Sequence, residues 1–447
     1  MITDMTVGSP SKILLKYCIP MMISSAFQQM YNLADSIIAG NFAGRNALAA
    51  VGASYPITMI FVAIATGLSV GCTVVISRYF GANDFANMKT SIFTSIITAL
   101  TTGAVLTVIG IIGCNPMLRL LQTDSVIMVD SAIYLEVYVA GLLFLFLYNI
   151  CTGVLLALGD SKTPLYFLIA SSVGNIVLDY VFVANFHMGV SGVAWATFIC
   201  QGICSILVLI VLLCRIRKIK VEEAYAKYSP EMLKTISRIA VPSILQHSFV
   251  SVGNLFIQSV INSFGVDATA GYSAAIKLNT FAITNFSTMG NSISSFTSQN
   301  FGAQKPDRIK KGYRTGMLIV GLSVVPYVLL YCLFGSQFVS LFLDSGNSDN
   351  AAAIRIGTQF LTIVSPFYLL VAIKLVTDGI LRGLGRMKAF LVATFADLIL
   401  RVAGAYILTA VMGSITGVWW SWPVGWLIGS GISVWYYSRI KWQKLAL

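Results

Sequence analysis

Charge is what this chain has least of. Only 10% of its 447 residues are Asp, Glu, Lys or Arg, where soluble domains carry about 25%. With 57% hydrophobic residues and a mean hydropathy of +0.83, that scarcity excludes an ordinary soluble fold and reads as a polytopic membrane protein. Histidine is nearly absent, and neither His187 nor His247 stands in a metal-holding pattern. The eight cysteines are scattered. Several lie in apolar runs (Cys18, Cys72, Cys151, Cys200, Cys204) and none forms a CxxC pair, so they read as small core residues and not as a disulfide or zinc framework. No GxxxxGK[ST] phosphate loop occurs, which leaves ATP drive unsupported. Nor is there a nucleophile–base pair or metal motif, so neither an enzyme nor a cofactor is expected. Residues 1–11 are polar and the first apolar run is long, which predicts a retained span and not a cleaved signal.

What is present is length and apolarity in alternation. About twelve runs, from 14–39 to 415–437, are long enough to cross a ~30 Å hydrocarbon core. Several exceed the ~20 residues of a straight span, predicting tilt or kinks, with Pro20, Pro56, Pro242 and Pro366 as the breakers. The basic residues are sorted by side. With the N-terminus in the cytoplasm, Arg45, Arg119 and Arg355 fall outside, Lys277, Lys374 and Arg401 fall within runs, and every other Lys and Arg lies inside. This positive-inside pattern predicts two cytoplasmic termini and an even span count. It also explains the net charge of +12 by topology, without a nucleic-acid partner.

The chain repeats itself. KILLKYCIP followed by ISRYFGANDFANMKTS returns as KTISRIAVP followed by TSQNFGAQKPDRIKKG, and GVLLALGDSK (153–162) returns as GILRGLGRMK (379–388). GVSGVAW (189–195) is loosely echoed by SITGVWW (414–420). The expected fold is therefore an all-α integral membrane protein of about twelve transmembrane helices. They form two six-helix bundles related by a pseudo-two-fold along the membrane normal, with a cavity between them. The halves are 1–214 and 239–447, joined by a basic cytoplasmic linker, 215–238, expected as a solvated tether that obeys the positive-inside rule, with a short amphipathic helix on anionic lipid as the alternative.

At this level the sequence resembles the multidrug and toxic compound extrusion (MATE) transporters. The resemblance rests on an ordered set of pieces: QQMYNLADSIIAGNFAG, LAAVGASYPI, GLSVGCTVVISRYFGA, ALGDSKTP, NIVLDYVF and GVSGVAWAT in the first half, FGAQ and ILRGLGRMK in the second. It implies a V-shaped, two-lobed antiporter of the cell membrane, in which entry of H⁺ or Na⁺ drives export of amphipathic, often cationic, organic compounds by alternating access. Asp35, Asn175, Asp179 and Thr197 look like the amino-lobe ion site of the DinF-like branch. The branch with a helix-7 carboxylate fits less well, since SILQHSFVSVGNLFIQ after Pro242 has no Asp or Glu.

The residues point the same way. A carboxylate in hydrocarbon costs several kcal/mol unless neutralised or paired, and Asp35 and Asp179 each sit in a long apolar stretch. Asn175 and Asp179 lie at i, i+4 and share a helix face. With Asp35 and Thr197 they offer hard oxygen ligands, suited to Na⁺ or to a proton held on a carboxyl. Gln28, Gln29, Tyr31 and Asn32 lie within two turns of Asp35; with Asn149, Tyr148 and Asp378 they are the expected cavity lining. Glu136 is expected near an aqueous mouth. Lys374–Asp378 and Asp397–Arg401 are i, i+4 pairs of opposite sign, which lower the cost of burial without any function. Under the repeat, Asp35 falls on Ile257, Asn175 on Arg401, Asp179 on Ala405 and Thr197 on Trp422, so the acidic site is not duplicated. The first half is expected to handle the ion, the second to be scaffold and substrate wall, in a chain that works as a monomer in the bilayer. A lipid or lipid-linked oligosaccharide flippase of the same superfamily is the alternative.

Overall fold

The computed structural model describes residues 2–38, 45–221, 223–343 and 350–445, without the side chains of 33–38, 45–48, 444 and 445. Every regular element among them is helical. The helices are α1 Pro10–Ile38, α2 Arg45–Gly81, α3 Phe85–Leu120, α4 Met128–Ala140, α5 Leu142–Ala157, α6 Lys162–Tyr180, α7 Gly189–Lys218, α8 Pro230–Asn262, α9 Val266–Gly302, α10 Pro306–Ser340, α11 Ala351–Val364, α12 Tyr368–Gly383, α13 Met387–Met412 and α14 Thr416–Ser438.

Two of the expected spans are each built from two helices. The run at 127–156 breaks at Gly141 into α4 and α5, which meet at a bend of 46°. The run at 353–381 breaks at the 3₁₀ turn Ser365–Phe367, which contains Pro366. Among the described residues, eight segments are long and apolar enough to cross a membrane, and the α4–α5 pair adds a ninth. Of the remaining long helices, α1, α9 and α14, α9 buries a run of Ser, Thr, Asn and Gln through its C-terminal half. Pro20, Pro56 and Pro242 all lie inside helices, as do Pro116, Pro326 and Pro423. The stretch read as linker is helical at both ends, since α7 runs to Lys218 and α8 starts at Pro230.

The repeat is visible in the backbone. The two FGA turns each hold a non-glycine residue at positive φ, Asn83 at 58° and Gln304 at 56°. The two LG turns each hold a glycine, Gly159 and Gly385, both at 75°, a conformation glycine adopts without strain. Close packing repeats too. A Cβ on Gly153 of α5 would fall 2.4 Å from Ser69 Oγ of α2, and one on the matching Gly379 of α12 would fall 2.2 Å from the Gly290 carbonyl of α9. Small residues let membrane helices approach to backbone contact, where dispersion holds them.

The chain divides into two compact units, and each contains part of a helix from the other sequence half. Unit 1 is Met1–Asp4 with Ile23–Leu245; unit 2 is Met5–Met22 with Gln246–Leu447. Both α1 and α8 are thus shared at equivalent repeat positions. In unit 1 the start of α8 seats on glycines of α2: a Cβ at Gly67 would lie 2.4 Å from Ile244 Cγ1 and one at Gly71 2.7 Å from Ala240 Cβ. In unit 2 the N-terminal segment and the start of α1 seat on α9, with Met5 N–H donating to Gln299 Oε1 (2.9 Å) and Ser292 Oγ lying 3.2 Å from Met21 Sδ.

Candidate functional site

The polar group of unit 1 is assembled from three helices. Asp179 and Asn175 lie one turn apart on α6, and both are buried, at 0% and 2% exposure. The carboxamide of Asn175 organises the group. With the amide assigned in the orientation that satisfies its neighbours, its nitrogen donates to Asp179 Oδ2 (3.0 Å) and to the Tyr31 hydroxyl of α1 (2.7 Å), and its oxygen accepts from the Thr197 backbone N–H of α7 (3.1 Å). Thr197 Oγ1 stands 3.5 Å from the same carboxamide. Immediately after Asp179 the α-helix gives way to a π turn, Val181–Asn185. Such turns insert an extra residue and recur at functional sites. Nothing in the hydropathy of the segment signals one.

Three of the four residues expected to form the ion site are therefore brought together. The fourth, Asp35, lies on α1 one turn beyond Tyr31, and its side chain is outside the described residues. Of the expected lining, Tyr31 joins the group. Gln28, Gln29 and Asn32 bond to one another along α1, Gln28 Nε2 to Asn32 Oδ1 (3.3 Å) and Asn32 Nδ2 to Gln29 Oε1 (3.4 Å). Asn149 spends its amide on its own helix, donating to the Leu145 carbonyl (2.8 Å), while its backbone carbonyl accepts from Ser69 Oγ (2.7 Å). Glu136 is exposed on α4.

Asp378 sits in unit 2 in a closed ionic network. Lys374 Nζ donates to its Oδ2 at 2.7 Å, and Ser433 Oγ of α14 donates to its Oδ1 at 2.5 Å. Lys374 is also 3.9 Å from Asp397 Oδ2, and Arg401 Nε lies 4.0 Å from Asp397 Oδ1. The two i, i+4 pairs are thus one cluster, with its capping serine from a helix 55 residues away in sequence. Spacing alone reveals the pairs but not their union. Among the described residues no group of three or more His, Cys, Asp or Glu is placed to hold a metal.

Comparison with known proteins places this architecture. The MatE family model matches the chain twice, over residues 20–181 and 242–407, one match in each repeat. The chain is 28% identical to a probable multidrug resistance protein, YpnP, of Bacillus subtilis, over 99% of this chain and 98% of that one. It is 22% identical to the multidrug export protein MepA of Staphylococcus saprophyticus, over 93% and 90%. Among solved structures it is similar to a MOP superfamily transporter from Pyrococcus furiosus, with a TM-score of 0.92, 26% identity, and coverage of 99% of this chain and 98% of that one. An outward-facing multidrug resistance MATE family transporter gives a TM-score of 0.91 at the same identity and coverage. In that fold twelve spans make two bundles. The chain belongs to the MatE family of multidrug efflux transporters and is a multi-pass membrane protein.

Proposed function

We propose that this protein is a secondary antiporter of the cell membrane, with both termini in the cytoplasm. It exports amphipathic, often cationic, organic compounds in exchange for H⁺ or Na⁺. The observation that carries this reading is the Asp179–Asn175–Tyr31–Thr197 group: a buried carboxylate beside a carboxamide whose polar neighbours come from three helices, inside one unit of a transporter fold. Oxygen donors from Asp179, Asn175, Thr197 and Asp35 suit a hard monovalent cation or a proton, and the absence of an acid on α8 after Pro242 agrees with the DinF-like branch.

The carboxamide sets how the site reads its ion. With its N–H assigned toward Asp179 and its oxygen toward the Thr197 N–H, the orientation that satisfies both neighbours, Asn175 supports a carboxyl that gains and loses a proton. With the amide turned the other way, its oxygen joins the Asp179 carboxylate as a second donor for Na⁺ and its nitrogen lies 3.5 Å from Thr197 Oγ1. Ion and cargo need not touch: each only has to prefer a different conformation for one to drive the other.

The test uses purified protein in proteoliposomes, with sodium and pH gradients imposed separately and ethidium as cargo. The wild type is expected to respond to one gradient. Asp179→Asn is expected to insert normally and lose gradient-driven export altogether. Ion-driven efflux at the wild-type rate in that variant would sink the assignment.

A further inference from the structure

Unit 2 holds the repeat counterpart of the unit 1 site, and it is filled. The shift that lays 153–162 on 379–388 puts Arg401 at the position of Asn175, Ala405 at that of Asp179 and Leu398 at that of Ser172. Trp422 stands at the position of Thr197. Where unit 1 pairs Asn175 with Thr197 across α6 and α7, unit 2 stacks the Arg401 guanidinium over the Trp422 ring, 4.6 Å from its centroid, across α13 and α14. Ile257 and Ala405, in place of the two aspartates, are fully buried. At the position of Tyr31 the chain has Gly253, whose Cβ would lie 2.3 Å from Leu398 Cδ1, so α8 closes onto α13 where Tyr31 reaches inward in unit 1. On the far side, a Cβ at Gly425 of α14 would fall 2.7 Å from Asp397 Oδ1.

Four of the charges around this place balance. Lys374, Asp378, Asp397 and Arg401 are 3–6% exposed and cancel as a set. Arg382, one turn beyond Asp378 on α12, donates to Asn291 Oδ1 of α9 at 2.6 Å. Among the described residues neither Arg401 Nε nor Asp397 Oδ1 has a hydrogen-bond partner; they face each other at 4.0 Å. The guanidinium is therefore held by an indole face and a carboxylate at ion-pair distance, not clamped by a bidentate fork. That is a receptor for a compact cation, occupied by one that cannot be deprotonated in a protein.

We propose that Arg401 is a tethered cation, permanently filling in unit 2 the place that unit 1 leaves to an exchangeable ion, with Asp397 as its fixed counter-charge. The inference rests on the reading of the unit 1 group as an ion site. Its consequence is that only one unit can load and unload, so that vacating Arg401 opens a second cation site.

The experiment is chemical rescue, read as melting of the full-length protein in detergent. Arg401→Ala leaves the Lys374–Asp378–Asp397 network one negative charge in excess, because removing one member of a buried pair strands the other. Its melting temperature is expected to fall by several degrees. Guanidinium chloride at low millimolar concentration is expected to restore most of the loss in a saturable way, and tetramethylammonium chloride at equal ionic strength is not. The wild type and Asp397→Asn/Arg401→Gln are expected not to respond, the double variant because it removes both charges. Guanidinium having no more effect than tetramethylammonium on Arg401→Ala, or the same effect on the wild type, overturns the proposal. If Arg401→Ala does not accumulate, the double variant must; failure of both overturns it equally. Melting is read without transport, so a negative result here leaves the Asp179 assignment standing, and the Asp179→Asn assay tests that assignment alone.

Discussion

Asn175 does more in this molecule than its neighbour's carboxylate reveals. One side chain links α1, α6 and α7 through Tyr31, Asp179 and Thr197. Loss of a buried hydrogen bond costs about 1–3 kcal/mol when the partner is left unsatisfied. Tyr31→Phe removes one acceptor and leaves the ring, so it is expected to weaken ion response about tenfold or less while the protein melts close to the wild type. The coupling-ion concentration for half-maximal export checks this. Asn175→Ala strips three contacts at once and is expected to impair both ion response and stability. Part of the site was readable beforehand: four-residue spacing puts Asn175 and Asp179 on one face whatever else happens. Tyr31 was only one of several polar residues near Asp35, because which way a side chain points depends on how α1 is rotated against α6. The same ignorance of rotation hid Ser433 and Trp422, whose contacts lie on a helix far along the chain.

Elements obey the pattern of apolar length, and fail it where the backbone does something local. Pro366 announced the break between α11 and α12; the bend at Gly141 and the π turn after Asp179 had no comparable signal, since hydropathy is blind to a changed hydrogen-bond register. Turn chemistry was legible as repetition before its purpose was. Asp160, in the LG turn of the first half, accepts from the backbone N–H groups of Lys162 (3.2 Å) and Thr163 (3.1 Å) at the start of α6. It also pairs with Arg215 at the end of α7, and Arg215 donates to Thr163 Oγ1 (2.8 Å). Asp160 thus caps one helix and ties it to the next. An N-cap is worth roughly 1 kcal/mol. Asp160→Ala is expected to lower the melting temperature by more than Asp160→Asn, which keeps a capping oxygen and loses only the charge pair. Equal melting of the two would show that the ion pair carries the whole effect. The small-residue contacts are less forgiving. Gly379→Val puts a side chain where the Gly290 carbonyl already stands, and overpacking of this kind costs typically 1–3 kcal/mol or more. The expected outcome is a poorly accumulating protein by fluorescence-detected size exclusion.

At the scale of the whole molecule the repeat and the packing part company. The sequence duplicates six spans, and the family match follows that duplication at 20–181 and 242–407. Compact units do not: Met5–Met22 packs with the second half, and the start of α8, up to Leu245, packs with the first. Repetition along a chain records which segments are alike, not which segments touch, so no reading of the motifs could have assigned α1 and α8 to two units each. The consequence is testable by cutting the linker. A fragment ending at Ile219 lacks Ala240 and Ile244, against which Gly67 and Gly71 of α2 are fitted. A fragment starting at Ser229 lacks Met5, whose backbone satisfies the buried side chains of Gln299 and Asn300 and whose carbonyl accepts from Arg308 at 3.0 Å. Each piece then exposes a groove shaped for a helix half that only the other supplies, and buried polar groups without partners cost about 1–3 kcal/mol each. Neither fragment is expected to give a monodisperse peak when made alone. Made together, they are expected to assemble into a particle that elutes with the intact chain. If the first-half fragment is monodisperse and melts cooperatively by itself, the borrowed segment of α8 is an ornament on unit 1, and the shared-helix account of this fold fails.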